Sequence, residues 1–299
     1  MVGALYVARV SQNEAMLTPA QIDHYHRDGY VVLPHFKTPA HMAALRERAG
    51  QIVDAFDPAT SKTIFTTNDQ VRTVDRYFLD SDTTVRCFFE EEAFDASGAL
   101  RQPKALSINK IGHAMHDLDP VFAAFSRGPE LAAVARDIGL ADSRIWQSMY
   151  IFKQPGIGGE VGWHQDATFF DTTPLSVTTF WFALEDATLD NGCLWVQAGG
   201  HTSPLRERFE RVGDVITMHK LSDHPWPDTS TAIPLEVQAG ALVVFHGLLP
   251  HYSAPNRSAH SRHAYTLHAT NGHTAYAPTN WIQRSAAMPA TGFDIQGLP

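Results

Sequence analysis

A change of pattern near residue 145 limits the fold of this chain more than any other feature. Before it, helix signals dominate. Thr18-Pro19-Ala20-Gln21 reads as an N-cap, a first-turn proline and a capping-box glutamine, and the run it opens stops at Gly29. Thr38-Pro39 repeats the start signal for a helix over about 39–56, and two further helices are expected near 119–127 and 129–138. Between the first two, Tyr30-Val31-Val32-Leu33 is a β-branched and aromatic run that reads as a strand. After the change, short strands are expected at 145–154, 178–184, 193–197, 235–238, 242–246 and 262–269. Glycine, proline, asparagine and aspartate clusters such as Asp190-Asn191-Gly192 separate them. Strands punctuated in this way, without helical periodicity between them, build an antiparallel barrel or sandwich. The expectation is one domain over 1–299, mainly β with flanking α-helices. Its helical part covers about 17–140 and its β core about 145–285, and the weakly periodic segment 200–232 is read as an insert or lid.

Charge narrows the partners. Lys+Arg 23 against Asp+Glu 32 leaves a net charge of −9, with no run of four basic residues. Nucleic acid and anionic membrane surfaces are therefore not expected, and a small-molecule substrate is. Cys87 and Cys193 are too few for a disulfide framework or a cysteine-rich zinc site. Residues 1–16 lack a basic stretch followed by a sustained apolar run, and no apolar run is long enough to span a bilayer. A cytoplasmic setting is the expectation; the oligomeric state is left open.

Sixteen histidines stand out in this composition. His164-Gln165-Asp166 is the sharpest local signal, because residues two apart in an extended segment point to the same side and can share one metal. A third ligand would complete the two-histidine, one-carboxylate triad of non-haem iron sites, with open positions for substrates. His246 and His251 both compete for that place. Further on, alternation over 262–268 puts Arg262, Ala264, Thr266 and His268 on one face. An arginine turned into a barrel needs an anionic partner. A 2-oxo acid suits both features, since it can chelate iron at one end and offer a carboxylate to the arginine fork at the other.

At this point the chain resembles the phytanoyl-CoA dioxygenase family of Fe(II)/2-oxoglutarate oxygenases. The strongest stretches are Gln147-Ser148-Met149-Tyr150-Ile151-Phe152-Lys153-Gln154-Pro155, Gly158-Gly159-Glu160-Val161 and His164-Gln165-Asp166. Segments 17–21, 28–33, 109–114, 119–122, 185–189, 191–195, 264–268 and 280–281 continue it. Only 1–16, 200–232 and the last dozen residues fall outside. The resemblance implies a double-stranded β-helix, or jelly roll of cupin-like form. It implies His164, Asp166 and His251 as iron ligands, which decides against His246. Arg262 and Ser253 would hold the distal carboxylate of 2-oxoglutarate, with Lys110, Met149 and Trp181 lining its pocket.

The implied activity is hydroxylation of a small molecule by Fe(II), 2-oxoglutarate and O2, with release of succinate and CO2 and with ascorbate as a reductant. Related halogenases replace the position of Asp166 with a small residue, so a carboxylate here points to hydroxylation. The loop 175–180 is about one residue shorter than in relatives and 205–233 shares little with them, which leaves the substrate unnamed. Acyl-CoA is not expected, because no basic cluster stands ready for its phosphates. Phe209, Met218, His219 and Trp226 would let 200–232 exclude water, and His113, His201 and His268 are further candidates beside the metal or substrate. Two rival readings are a regulatory binder of metal and 2-oxoglutarate without turnover, and a cupin-like metal-dependent isomerase that has no need of Arg262.

Overall fold

The Thr18 hydroxyl accepts a hydrogen bond from the Gln21 amide, the Gln21 side chain accepts one from the Thr18 amide, and Gly29 closes the helix at φ 84°. This cap opens a computed structural model that describes residues 15–59, 61–64, 76–140 and 142–294. The expectation that no leader is present falls on residues 1–14, outside those described. The helices are α1 (Pro19–Asp28), α2 (Pro39–Ala55), α3 (Arg76–Leu79), α4 (Met115–Leu118), α5 (Pro120–Ser126) and α6 (Pro129–Asp137). Strands β1 to β5 are Tyr30–Leu33, Val85–Phe89, Ile108–His113, Ser143–Ile151 and Val161–His164. Next come β6 (Thr172–Thr173), β7 (Thr178–Ala183), β8 (Leu194–Val196), β9 (Glu207–Val212) and β10 (Val215–Lys220). The last are β11 (Ile233–Leu235), β12 (Leu242–His246), β13 (His251–Ser253), β14 (Ala264–Asn271) and β15 (Ala275–Tyr276).

These strands form a seven-stranded antiparallel sheet, ordered β1-β12-β7-β14-β4-β3-β2, and a four-stranded sheet, ordered β11-β8-β13-β5. Strand β7 shows how the sequence selects this arrangement. All six of its residues are buried, as expected for a strand covered on both faces. Phe180 and Phe182 join Leu242, Val244, Tyr265 and Leu267 in one core with Leu45, Ala49 and Phe125 of the helical layer. Trp181 and Ala183 join Val243, Phe245, Leu194 and Val196 in a second core that includes the small sheet. A third cluster, with Phe78, Phe88, Phe170, Phe209 and Trp281, gathers near the cavity described below. The fold is a jelly roll with helices on the outer face of its large sheet.

Three expectations need correction. The N-terminal part is not purely helical apart from β1, because β2 and β3 extend the large sheet. The strand expected at 235–238 lies at Ile233–Leu235 instead, pairing with β8, while Val237 makes only an isolated bridge to Ala187. Pro234 is tolerated there because β11 is an edge strand. Segment 200–232 contains the β9–β10 hairpin, whose partly exposed faces lack the apolar alternation that would announce it.

Gly247 locks the turn after β12 to the rest of the small sheet's surroundings. Its amide donates to Val177 O at 2.8 Å and its carbonyl accepts from Ala167 N at 2.9 Å. A Cβ here would sit 2.2 Å from Val177 Cγ1 and 2.6 Å from Val177 O. Gly247→Ala is expected to cost about 1–3 kcal/mol of stability, read as a lower denaturant midpoint at unchanged slope. A midpoint equal to that of the parent would show that this turn has room to relax.

Candidate metal centre and cosubstrate pocket

A cavity of about 370 Å³ lies between the two sheets. His164 ends β5 and His251 opens β13, and the antiparallel register places them directly opposite each other. Their ring centroids are 4.0 Å apart. Each Nδ1–H donates to a backbone carbonyl two residues earlier, Gly162 O at 2.8 Å for His164 and Leu249 O at 3.0 Å for His251. That bond occupies Nδ1 of each ring and makes Nε2 the nitrogen a metal would take. Both Nε2 atoms lie 3.7 Å from Asp166 Oδ1. The three ligand atoms fall within 4.8 Å of one another.

Asp166 is buried where the chain leaves β5. Its Oδ2 accepts a hydrogen bond from Thr179 Oγ1 of β7 and lies 3.4 Å from His268 Nε2 of β14. Burial by itself would raise the pKa of this carboxyl. The facing imidazoles of His251, His268 and His164 outweigh it and hold the group well below the usual range, so it is an anion. Two imidazole nitrogens and one anionic oxygen, converging from one side, fit a divalent iron-like ion with open positions.

Arg262 is 2% exposed at the other end of the cavity. Its Nε donates to Gly192 O at 3.1 Å and its Nη2 to Ser253 Oγ at 3.1 Å, and the guanidinium lies 5.4 Å from the Trp181 ring centroid. Ser253 in turn donates to Gly192 O at 2.9 Å. Nη1 has no hydrogen-bond partner. Burial lowers the pKa of the group to about 10, which leaves it charged at neutral pH. A buried cation with an unused donor is the feature that a carboxylate ligand would complete.

Lys110, Met149 and Trp181 all line the same cavity. Lys110 is buried rather than exposed, with Nζ 3.6 Å from Met149 Sδ. Of the further histidines, His113 and His268 line the cavity and His201 does not. Met218 reaches the wall from the hairpin, and Phe209 is packed beneath it against Phe169 and Trp281. His219 pairs with Glu210 across the hairpin, and Trp226 lies under the Arg206 guanidinium at a separate depression. Among the cavity residues not anticipated, Thr179 and Lys153 bear on the chemistry. Thr179 was detectable, since period-two alternation sets it on the same side as Trp181. Lys153, a buried cation within an apolar run, donates to Gly159 O, and burial pushes its pKa well down.

His246 stands apart from the triad. Its Nδ1 accepts the Leu248 amide at 3.0 Å, and its ring faces that of His201 at 5.4 Å.

Known proteins supply an independent comparison. The family model described as phytanoyl-CoA dioxygenase matches residues 25–264. A phytanoyl-CoA dioxygenase of Arabidopsis thaliana is 45% identical over 276 residues, spanning 91% of this chain and 95% of its own. The phytanoyl-CoA dioxygenase domain-containing protein 1 of Bos taurus is 42% identical over 284 residues, covering 92% and 98% respectively. Among solved structures, EctD from S. alaskensis with 2-oxoglutarate and 5-hydroxyectoine aligns with a TM-score of 0.63 at 22% identity, covering 95% of this chain and 89% of that one. An alpha-ketoglutarate-dependent carbocyclase of nogalamycin biosynthesis aligns at 0.63 and 18%, covering 92% and 94%. These last two likenesses establish the fold.

Two measurements test the geometry. Thr179→Val removes the hydrogen bond to Asp166 Oδ2 while keeping the side-chain shape, and should weaken Co(II) or Fe(II) binding by about 10–100-fold; an unchanged affinity would show that Thr179 does not support the carboxylate. His246 has its pKa lowered to about 4 by burial and by the nearby His201 and His26. The unfolded chain therefore takes up this proton first, and the stability that the neutral ring contributes is lost as pH falls from about 6.5 toward 4. His246→Gln should flatten that acid limb in denaturant titrations, and an unaltered slope would remove His246 from the account.

Proposed function

The chain belongs to the phytanoyl-CoA dioxygenase family, and on that premise we propose that it is an Fe(II)- and 2-oxoglutarate-dependent oxygenase that hydroxylates a small molecule, releasing succinate and CO2. The observation that carries this reading is the presence, on one cavity, of the His164–Asp166–His251 cluster and of a buried arginine with an unused donor. Ferrous iron held by these three residues supplies activation of O2 coupled to decarboxylation of the 2-oxo acid, and ascorbate serves as the reductant that keeps it ferrous. Every other task falls to the protein. His164 and His251 present fixed tautomers, and Thr179 and His268 orient the carboxylate between them. Arg262 and Ser253 grip the distal carboxylate, while Trp181 and Met149 wall the cosubstrate from solvent and Lys110 adds positive charge beside it. A cytoplasmic location and a small-molecule partner complete the proposal.

Succinate formation by anaerobically iron-loaded protein, with and without O2, is the deciding assay. Iron- and oxygen-dependent succinate is the expected outcome. Tight 2-oxoglutarate binding without succinate, across a metabolite screen, would favour a regulatory binder. Arg262→Ala should raise the KM for 2-oxoglutarate by about tenfold to a hundredfold, the loss expected for one charge-assisted hydrogen bond of about 1.5–3 kcal/mol. Indifference to that change would favour an isomerase instead.

A further inference from the structure

The signature that marks Arg262 recurs at the other end of the cavity with the opposite hydrogen-bonding sense. His113 is fully buried, lines the cavity, and its Nε2 has no partner. Its tautomer is fixed by its neighbours. Ser81 spends its only proton on Phe78 O, so at 2.7 Å from His113 Nδ1 the Ser81 oxygen must accept, and Nδ1 carries the hydrogen. Nε2 is then a bare acceptor. Burial, together with the nearby charges of Lys110, Arg284 and Arg86, opposes protonation of the ring. Phe78 and Trp281 hold the imidazole edge-on at centroid distances of 5.5 and 5.2 Å.

His113 is not alone. His268 faces Asp166 through Nε2, and its Nδ1 is likewise buried without a partner. The Thr168 hydroxyl, also on the cavity wall, has none either. Unmade hydrogen bonds of this kind are costly unless a ligand completes them. Along the segment that leads into and through β14, the cavity residues run from Arg262 at one end to His268 at the other, six residues apart. Donors therefore meet the cosubstrate at the first end, and the His113 acceptor is left over at the second.

Resting on the oxygenase reading above, we propose that His113 Nε2 is the substrate-recognising acceptor of this site, and that it selects a compact, neutral molecule carrying a hydrogen-bond donor, in the simplest case an alcohol. The wall around it is aromatic, and about 370 Å³ must hold cosubstrate and substrate together, near the lower end of ligand cavities. A long acyl chain does not suit that space. A carboxylate would meet the bare His113 nitrogen rather than a donor. Lys110, which lies 5.5 Å from the Phe78 ring centroid, is the cation that an acid would have to use instead, so the acid is the informative competitor.

The test uses matched probes. Full-length protein loaded with Zn(II) and 2-oxoglutarate, which does not turn over, is titrated with cyclohexanol and with cyclohexanecarboxylate, and binding is followed by saturation-transfer NMR. Cyclohexanol should bind about tenfold tighter or more, because the acid leaves the acceptor unpaired. His113→Gln, which keeps an acceptor, should retain the preference, and His113→Phe should abolish it. Equal or tighter binding of the acid, no binding of either probe, or a preference that survives His113→Phe would overturn the proposal. Nitrogen-15 shifts of His113 in the parent protein give a reading independent of any variant: a neutral Nδ1–H ring from pH 6 to 8 supports the assignment, and an imidazolium refutes it. Calorimetry with 2-oxoglutarate on the same samples separates the two hypotheses. If the cosubstrate fails to bind, the oxygenase reading falls, while the alcohol-to-acid comparison repeated on metal-free protein still decides the role of His113.

Discussion

One antiparallel pairing carries the site. Because β13 sets His251 opposite His164 on β5, two imidazoles from segments almost ninety residues apart arrive side by side. Asp166 then joins the two sheets. Its Oδ1 faces both histidines of the small sheet, and its Oδ2 faces Thr179 and His268 of the large one. A buried carboxylate with this many partners is stable only while all of them stay in place, since a buried charge left unpaired costs several kcal/mol. The separation of the sheets, and with it the depth of the cavity, is thereby tied to the metal cluster rather than to apolar packing alone.

The cavity is also graded along its length. At the Arg262 end the wall offers the unused guanidinium donor and the amino groups of buried lysines. Near His268 it offers the bare nitrogen of His113 and aromatic faces. Alternation along β14 and the segment leading into it produces this gradient, because the cavity-facing positions pass in order from Arg262 to His268 while Tyr265 and Leu267 point into the helical layer. One strand thus supplies both ends of the chemistry and the core that holds it rigid.

Much of this was legible in the residues, for definite physical reasons. The Thr18 cap and the Gly29 stop announce α1 because they satisfy backbone groups locally, and such signals do not depend on the rest of the fold. The run from Leu242 to Phe245 is apolar throughout because both faces of β12 are covered there. The histidine pair was legible only in part: strand ends show that His246 and His251 are both candidates, and it takes the tertiary register to set His251 facing His164 while His246 turns to His201. Strands β2 and β3 escaped because they lie among helix signals, and the strand that joins them to the sheet, β4, comes from beyond the change of pattern and pairs with β3. The acceptor character of His113 was invisible for a similar reason, since its tautomer is fixed by Ser81, thirty-two residues away.

The β9–β10 hairpin shows where such a fold can vary without losing its chemistry. Its ladder is internal, so it shares no strand pairing with either main sheet. It is attached instead by side chains, Phe209 in the cluster with Trp281 and Arg208 with Asp171 at 3.0 Å, and by a backbone bond from the Arg211 amide to Thr279 O. Yet Glu207 and Met218 reach the cavity wall from it. Substitutions on that ribbon reshape the cavity without breaking a hydrogen bond of the sheets that position His164, Asp166 and His251. Scaffold and cavity lining are separable here because the hairpin is bonded to itself.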